Sequence, residues 1–231
     1  MKARKIVDAI VAAVSASFLL VSPTSALERM KAPRATFTVT CFGAKPGCEG
    51  AVATTQQTIA ELRKSGNVER AELLHEWMLA ELMQEKWTDV RKNLVTTAGK
   101  NDLLDKYFGG SSYTAAWYCG LISSVSYTGV AAGDTMSSHA GWTEAGGANA
   151  PTYTGNRPAL TFAAASGGSK ATSSASSFTF SGPGTIKGMF GTTVTTKDGT
   201  TGVLYNAVLF SGGDRIVANT DVVNVSVTYS A

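Results

Sequence analysis

The chain has 231 residues, 44% of them hydrophobic and 16% charged, with a formal net charge of +3 from 20 basic and 17 acidic side chains. That length suits one large or two small domains, and a charged fraction below the roughly 25% typical of soluble proteins is made up by Ser, Thr, Gly and Ala. Residues 111–231 hold five acidic and five basic residues, so the whole net charge lies in 1–110, and no clustered basic face of the kind phosphate binding requires is visible.

Residues 1–26 have the layout of a secretory signal. Lys2, Arg4 and Lys5 precede an apolar run from Ala9 to Val21, and Thr24-Ser25-Ala26 offers small residues for cleavage. The run is too short for a span of about 20 residues. The competing account is a misassigned start, with Met30 or Met78 as the true one.

Residues 27–92 read as irregular, then as a helical arm. One strand is expected at Ala35–Thr40. Thr54 followed by Gln57 is a capping-box pattern, predicting a helix to Lys64 that ends at Ser65-Gly66. Asn67 then caps a helix over Val68–Lys86, with Glu69 and Glu72 near its positive end. Its apolar face is broad and must be covered by something. Leu74, Trp77, Met78 and Leu82 are the candidate assembly surface, since burying each large side chain is worth about 1.5–3 kcal/mol.

Residues 93–231 read as a β-sandwich domain led by a short helix. Thr97 caps that helix, Ala98–Phe108, which presents Leu103, Leu104, Tyr107 and Phe108 and stops at Gly109-Gly110. The period then changes toward two. Strands are expected at Ala115–Ser123, Arg157–Ala165, Ser176–Ser181, Thr185–Thr192, Leu204–Phe210 and Asp221–Tyr229. Gly-rich turns at 166–168, 182–184, 197–199 and 211–214 separate several of them. A helical turn is expected at Asp134–Ala140. The fold class is mainly β: an antiparallel sandwich, with a jelly roll among the topologies that fit, carrying an N-terminal helical arm.

Chemistry is sparse. Cys41 and Cys48 are a candidate disulfide, conditional on an oxidising compartment, and Cys119 reads as a buried thiol in a core strand. Without a CxxC pair, and with only His75 and His139, a zinc site is not expected. Gly99-Lys100-Asn101 lacks the earlier Gly and the following Ser or Thr of a phosphate loop. No G-x-S-x-G elbow occurs. Asp134 and Glu144 share a long connection with Trp142 and Tyr153, an aromatic-and-acid combination that binds sugars or, more commonly, anchors a loop. No enzyme, no cofactor and no nucleic-acid partner is expected.

The ordered runs Asn93–Phe108, Tyr113–Ile122, Ala131–Glu144, Tyr153–Pro158, Ala164–Ala171, Gly184–Gly188 and Leu209–Arg215 resemble a family of small virion proteins of tailed bacteriophages. The likeness covers about residues 86–231, with Trp87 matching a Trp that precedes the Asn-Leu-Val-Thr-Thr cassette. It implies a non-enzymatic phage or prophage structural protein, either a capsid decoration or a tail component. Such a protein docks on other virion proteins, self-assembles, and resides in the virion after assembly in the host cytoplasm. Residues 1–85 depart from the family. A true export signal would instead suit a secreted bacterial binding module, carbohydrate-directed through Trp142 and Tyr153.

Overall fold

The computed structural model describes residues 34–110, 112 and 116–230. The signal or misassigned start expected at 1–26 lies outside the described residues, as does Ala115. In chain order the elements are β1 (Arg34–Ala44), α1 (Glu49–Lys64), α2 (Val68–Glu81), β2 (Met83–Lys92), β3 (Leu94–Val95) and α3 (Thr97–Phe108). Then follow β4 (Tyr118–Ser123), β5 (Ala145–Gly146), β6 (Asn149–Thr152), β7 (Ser169–Ala171) and β8 (Ser176–Thr179). The last four are β9 (Gly184–Thr192), β10 (Leu204–Leu209), β11 (Arg215–Val217) and β12 (Val222–Ser230).

Two antiparallel sheets enclose one core. The first runs β2-β1-β12-β7, with β8 also paired to β12. The second is built on β9, which pairs with β4, β10 and β11, while β3 adds to β10. Strand alternation does what the period-two pattern predicts: Val223, Val225 and Val227 point inward from β12 while Ser226 and Thr228 face water. Opposite them, Cys41, Val39 and Phe37 of β1 take the partner positions and are equally buried. Leu121, Ile186, Met189, Val208 and Phe210 close the core from the second sheet.

The expected boundary at residue 93 is corrected by this pairing. β1 lies between β2 and β12, so two strands from the segment read as an arm are members of the first sheet. The described residues cluster as one compact unit. The helices of that segment are present, the first longer than expected at its start and the second shorter at its end. α1 begins at Glu49, with Cys48 at its N-cap. Thr54 sits inside the helix and turns its hydroxyl back to the Gly50 carbonyl at 3.0 Å. Gly66, at φ +81, makes the left-handed exit that Gly permits. α2 stops at Glu81 rather than Lys86, because Met83 onward pairs with β1 and the ladder outweighs a helix-favouring sequence.

α3 starts one residue earlier than its pattern suggests. Thr96 is the cap, and its hydroxyl oxygen accepts the Gly99 N–H at 3.0 Å while the hydroxyl donates to the Leu204 carbonyl. Gly99 lies against the Tyr205 backbone, where a Cβ would collide with main-chain atoms.

Two further expectations fail. Residues 157–165 form only isolated bridges, Tyr118↔Ala159 and Phe162↔Thr172, since Pro158 offers no N–H to a ladder. Asp134–Ala140 is not helical. Its Thr135 and Ser138 form a tight bridge, and Asp134 accepts from Ala131 N and Trp142 Nε1 instead.

Candidate functional site

Of the candidate assembly residues, three turn inward. Met78 is fully buried, and Leu74 and Leu82 pack against it in a cluster with Val52, Ile59, Ala71 and Met83. Phe42, Ala44 and Val222 join that cluster, so the helical hairpin covers one end of the first sheet. This corrects the candidate surface: its face is consumed within the chain. Trp77 alone stays out, 49% exposed, near Leu73 on the same helix.

The larger unpartnered apolar surface is on α3. Only Gly99 of this helix is buried; Ala98, Asp102 and Lys106 form a half-buried stripe one turn apart. Tyr107 and Phe108 are 79% and 73% exposed, and Leu103 and Leu104 are exposed beside them. The two rings meet edge-on at 4.8 Å between centroids. The helix is anchored at its base and projects an apolar tip.

Beside that helix runs an aromatic groove. Trp117 packs edge-on to Tyr205 at 5.2 Å, Tyr205 edge-on to Tyr229 at 5.5 Å, and Phe162 tilts on Tyr229 at 5.6 Å. A cavity of about 200 Å³ lies among these rings and the α3 residues Asp102, Leu103 and Lys106. A second cavity, about 440 Å³, shares Trp117, Phe162 and Lys170 and extends the groove past Leu160. Tyr229 is fixed at the floor: Asn206 Nδ2 donates to its hydroxyl at 3.0 Å, and Asn206 Oδ1 accepts from Gly191 N at 2.9 Å. Burial raises the pKa of Tyr229, and burial with the nearby Asp102 charge raises that of Tyr205. Lys106 pairs with Asp102 at 3.6 Å, and Lys170 Nζ donates to the Ala163 carbonyl at 2.9 Å.

The residues singled out for chemistry are used structurally. Trp142 is 2% and Tyr153 3% exposed, so neither ring is available to a sugar, which corrects the carbohydrate reading. Trp142 stacks on His139 at 4.0 Å and donates to Asp134. Glu144 is committed to Arg157. His75 is buried in α2, and burial, helped by the Arg63 charge, lowers its pKa.

All three cysteines are free thiols, so the candidate Cys41–Cys48 bridge is not formed. The Cys41 side chain faces the core on β1, whereas Cys48 caps α1 beyond the intervening turn. Burial and the Asp221 carboxylate push the Cys41 thiol up to about 12, and burial raises Cys119.

Among the described residues no group of three His, Cys, Asp or Glu side chains is placed to hold a metal ion, and no helix is long and apolar enough to cross a membrane. Neither a protein-family profile nor a curated protein matches the chain.

The sequence anticipates the apolar residues of α3 but not the groove. Its four rings come from residues 117, 162, 205 and 229, each unremarkable in its own segment.

Proposed function

We propose that this protein is a non-enzymatic structural component of a phage particle, a capsid decoration or tail protein that acts by docking and self-assembly. The observation that carries the reading is the tip of α3: four large apolar side chains held out in water beside an open aromatic groove. Contiguous apolar surface of several hundred Å² is characteristic of association sites. The likeness of residues 86–231 to tailed-phage virion proteins supplies the particle as the setting. Of the four buried acids, Asp89, Glu144 and Asp221 are each engaged by a basic side chain and Asp134 by the Trp142 indole and the Ala131 N–H, which favours a scaffold over a reactive centre.

The test is proteomic. Particles from a producing culture are banded on a density gradient and digested. Peptides of this chain in the particle band, at a fixed ratio to the major capsid protein, are the expected result. Recovery only from particle-free culture fluid would overturn the reading in favour of a secreted module.

A further inference from the structure

We infer that the partner of the α3 tip is a second copy of this chain: Tyr107 and Phe108 of each copy enter the aromatic groove of the other across a two-fold axis. The inference rests on the docking reading above and names its occupant.

Three features of the surface support it. First, tip and groove adjoin. Leu103 lines the groove while Tyr107 and Phe108 continue from it along the same helix. Complementary surfaces that adjoin on one molecule can meet reciprocally, with the two α3 helices side by side, and that arrangement closes as a dimer.

The chemistry also matches. A cavity of about 200 Å³ walled by Trp117, Tyr205 and Tyr229 offers ring edges and faces, the preferred neighbours of another ring. The chain's own rings do not fill it, since both stand exposed.

Finally, area and charge agree. Aromatic side chains bury about 150–250 Å² each. Two rings with their leucines, docked while the copy's own groove receives the same, approach the roughly 800 Å² per partner of a stable interface. Asp105 on α3 has no cation partner among the described residues, and Lys170 at the groove rim has no carboxylate partner there. Docking the tip sets these opposite charges at the same rim.

The experiment is sedimentation of the full chain across a micromolar concentration series. The wild type is expected to dimerise. Phe108→Asp and Tyr107→Ser should each weaken the dimer by roughly 30-fold or more, while leaving the circular dichroism melt unchanged at a dilution where the wild type is monomeric, because in the single chain both side chains are in water. Asp105→Lys and Lys170→Glu should each weaken it, and the double variant should recover most of the loss.

A wild type that stays monomeric overturns the second-copy inference, as does a dimer indifferent to the Phe108 and Tyr107 changes. Either result leaves the particle-band measurement standing, because that readout does not depend on which protein receives the tip.

Discussion

Arg157 and Glu144 form a two-pronged ion pair inside the protein, with Nε to Oε1 at 2.7 Å and Nη2 to Oε2 at 2.6 Å. Arg157 Nη1 also donates to the Val194 carbonyl at 2.8 Å, and Glu144 Oε2 also accepts from Asp198 N at 2.7 Å. The pair therefore joins the long connection after β4, which carries Glu144, and the segment after β6, which carries Arg157, to the loop between β9 and β10. Lys197 adds to the same junction by donating to the Gly146 and Tyr153 carbonyls.

Removing one partner of that pair should be costly, since it strands the other charge in the interior. Arg157→Met and Glu144→Gln are each expected to destabilise by about 3–5 kcal/mol. The Arg157→Met/Glu144→Gln double variant should lose less than the sum of the two. Urea unfolding of the three variants gives the comparison, and a loss under about 1 kcal/mol for either single change would count against it.

The central place of β1 leads to a truncation prediction. A fragment of residues 93–231 leaves β12 without its partner along Phe42↔Val222 to Arg34↔Ser230 and removes Phe37, Val39 and Cys41 from the core. It should show no cooperative melt, whereas residues 34–231 should melt cooperatively. A well-folded 93–231 fragment would mean that the second sheet and β12 suffice.

Stability should depend on pH through His75. Its pKa is lowered in the folded state, chiefly by burial and then by Arg63, against the smaller opposing pull of Glu72 and Glu76. The unfolded chain therefore binds more protons as pH drops below the ordinary value of about 6.5. The contribution of His75 is complete above that pH and is lost as pH falls toward the folded value. Urea midpoints at about pH 7.5 and about pH 5 should differ more for the wild type than for His75→Leu. Equal differences would exclude His75 as a cause.

Thiol labelling should resolve the cysteines in order. Cys48 is partly exposed, whereas Cys41 and Cys119 are buried with raised pKa values. One thiol per chain should react promptly under native conditions, and the other two only on unfolding. No prompt reaction in unreduced protein, followed by two new thiols on reduction, would instead indicate a Cys41–Cys48 bridge.

Gly99→Ala should release the base of α3. The added Cβ meets the Tyr205 main chain, so the helix must shift or the strand must give, at about 1–3 kcal/mol. Because Tyr205 also walls the groove, its neighbour Trp117 should change in fluorescence. An unchanged melt and spectrum would show that the close approach is not required.

Much of the β half is legible in the chain itself. The strict alternation of Val223, Val225 and Val227 with polar residues requires a half-buried strand wherever it sits, and β12 is that strand. Gly66 likewise declares a helix end from backbone freedom alone.

Elsewhere the local signals were outvoted. Met83–Lys92 carries no period-two pattern on both faces, yet it becomes β2 because β1 offers it an open edge. Leu74, Met78 and Leu82 looked like an interface because a sequence shows that an apolar face exists but not what covers it. Here Phe42, Ala44 and Val222 cover it from strands far away in the chain.

Trp117, Phe162, Tyr205 and Tyr229 form one groove only because sheet pairing brings four distant segments together. Periodicity and turn chemistry act over a few neighbouring residues, and so they were readable from the chain. Which strand fills an edge, which face is buried and which rings meet are set by contacts between distant residues, and these the tertiary structure alone decided.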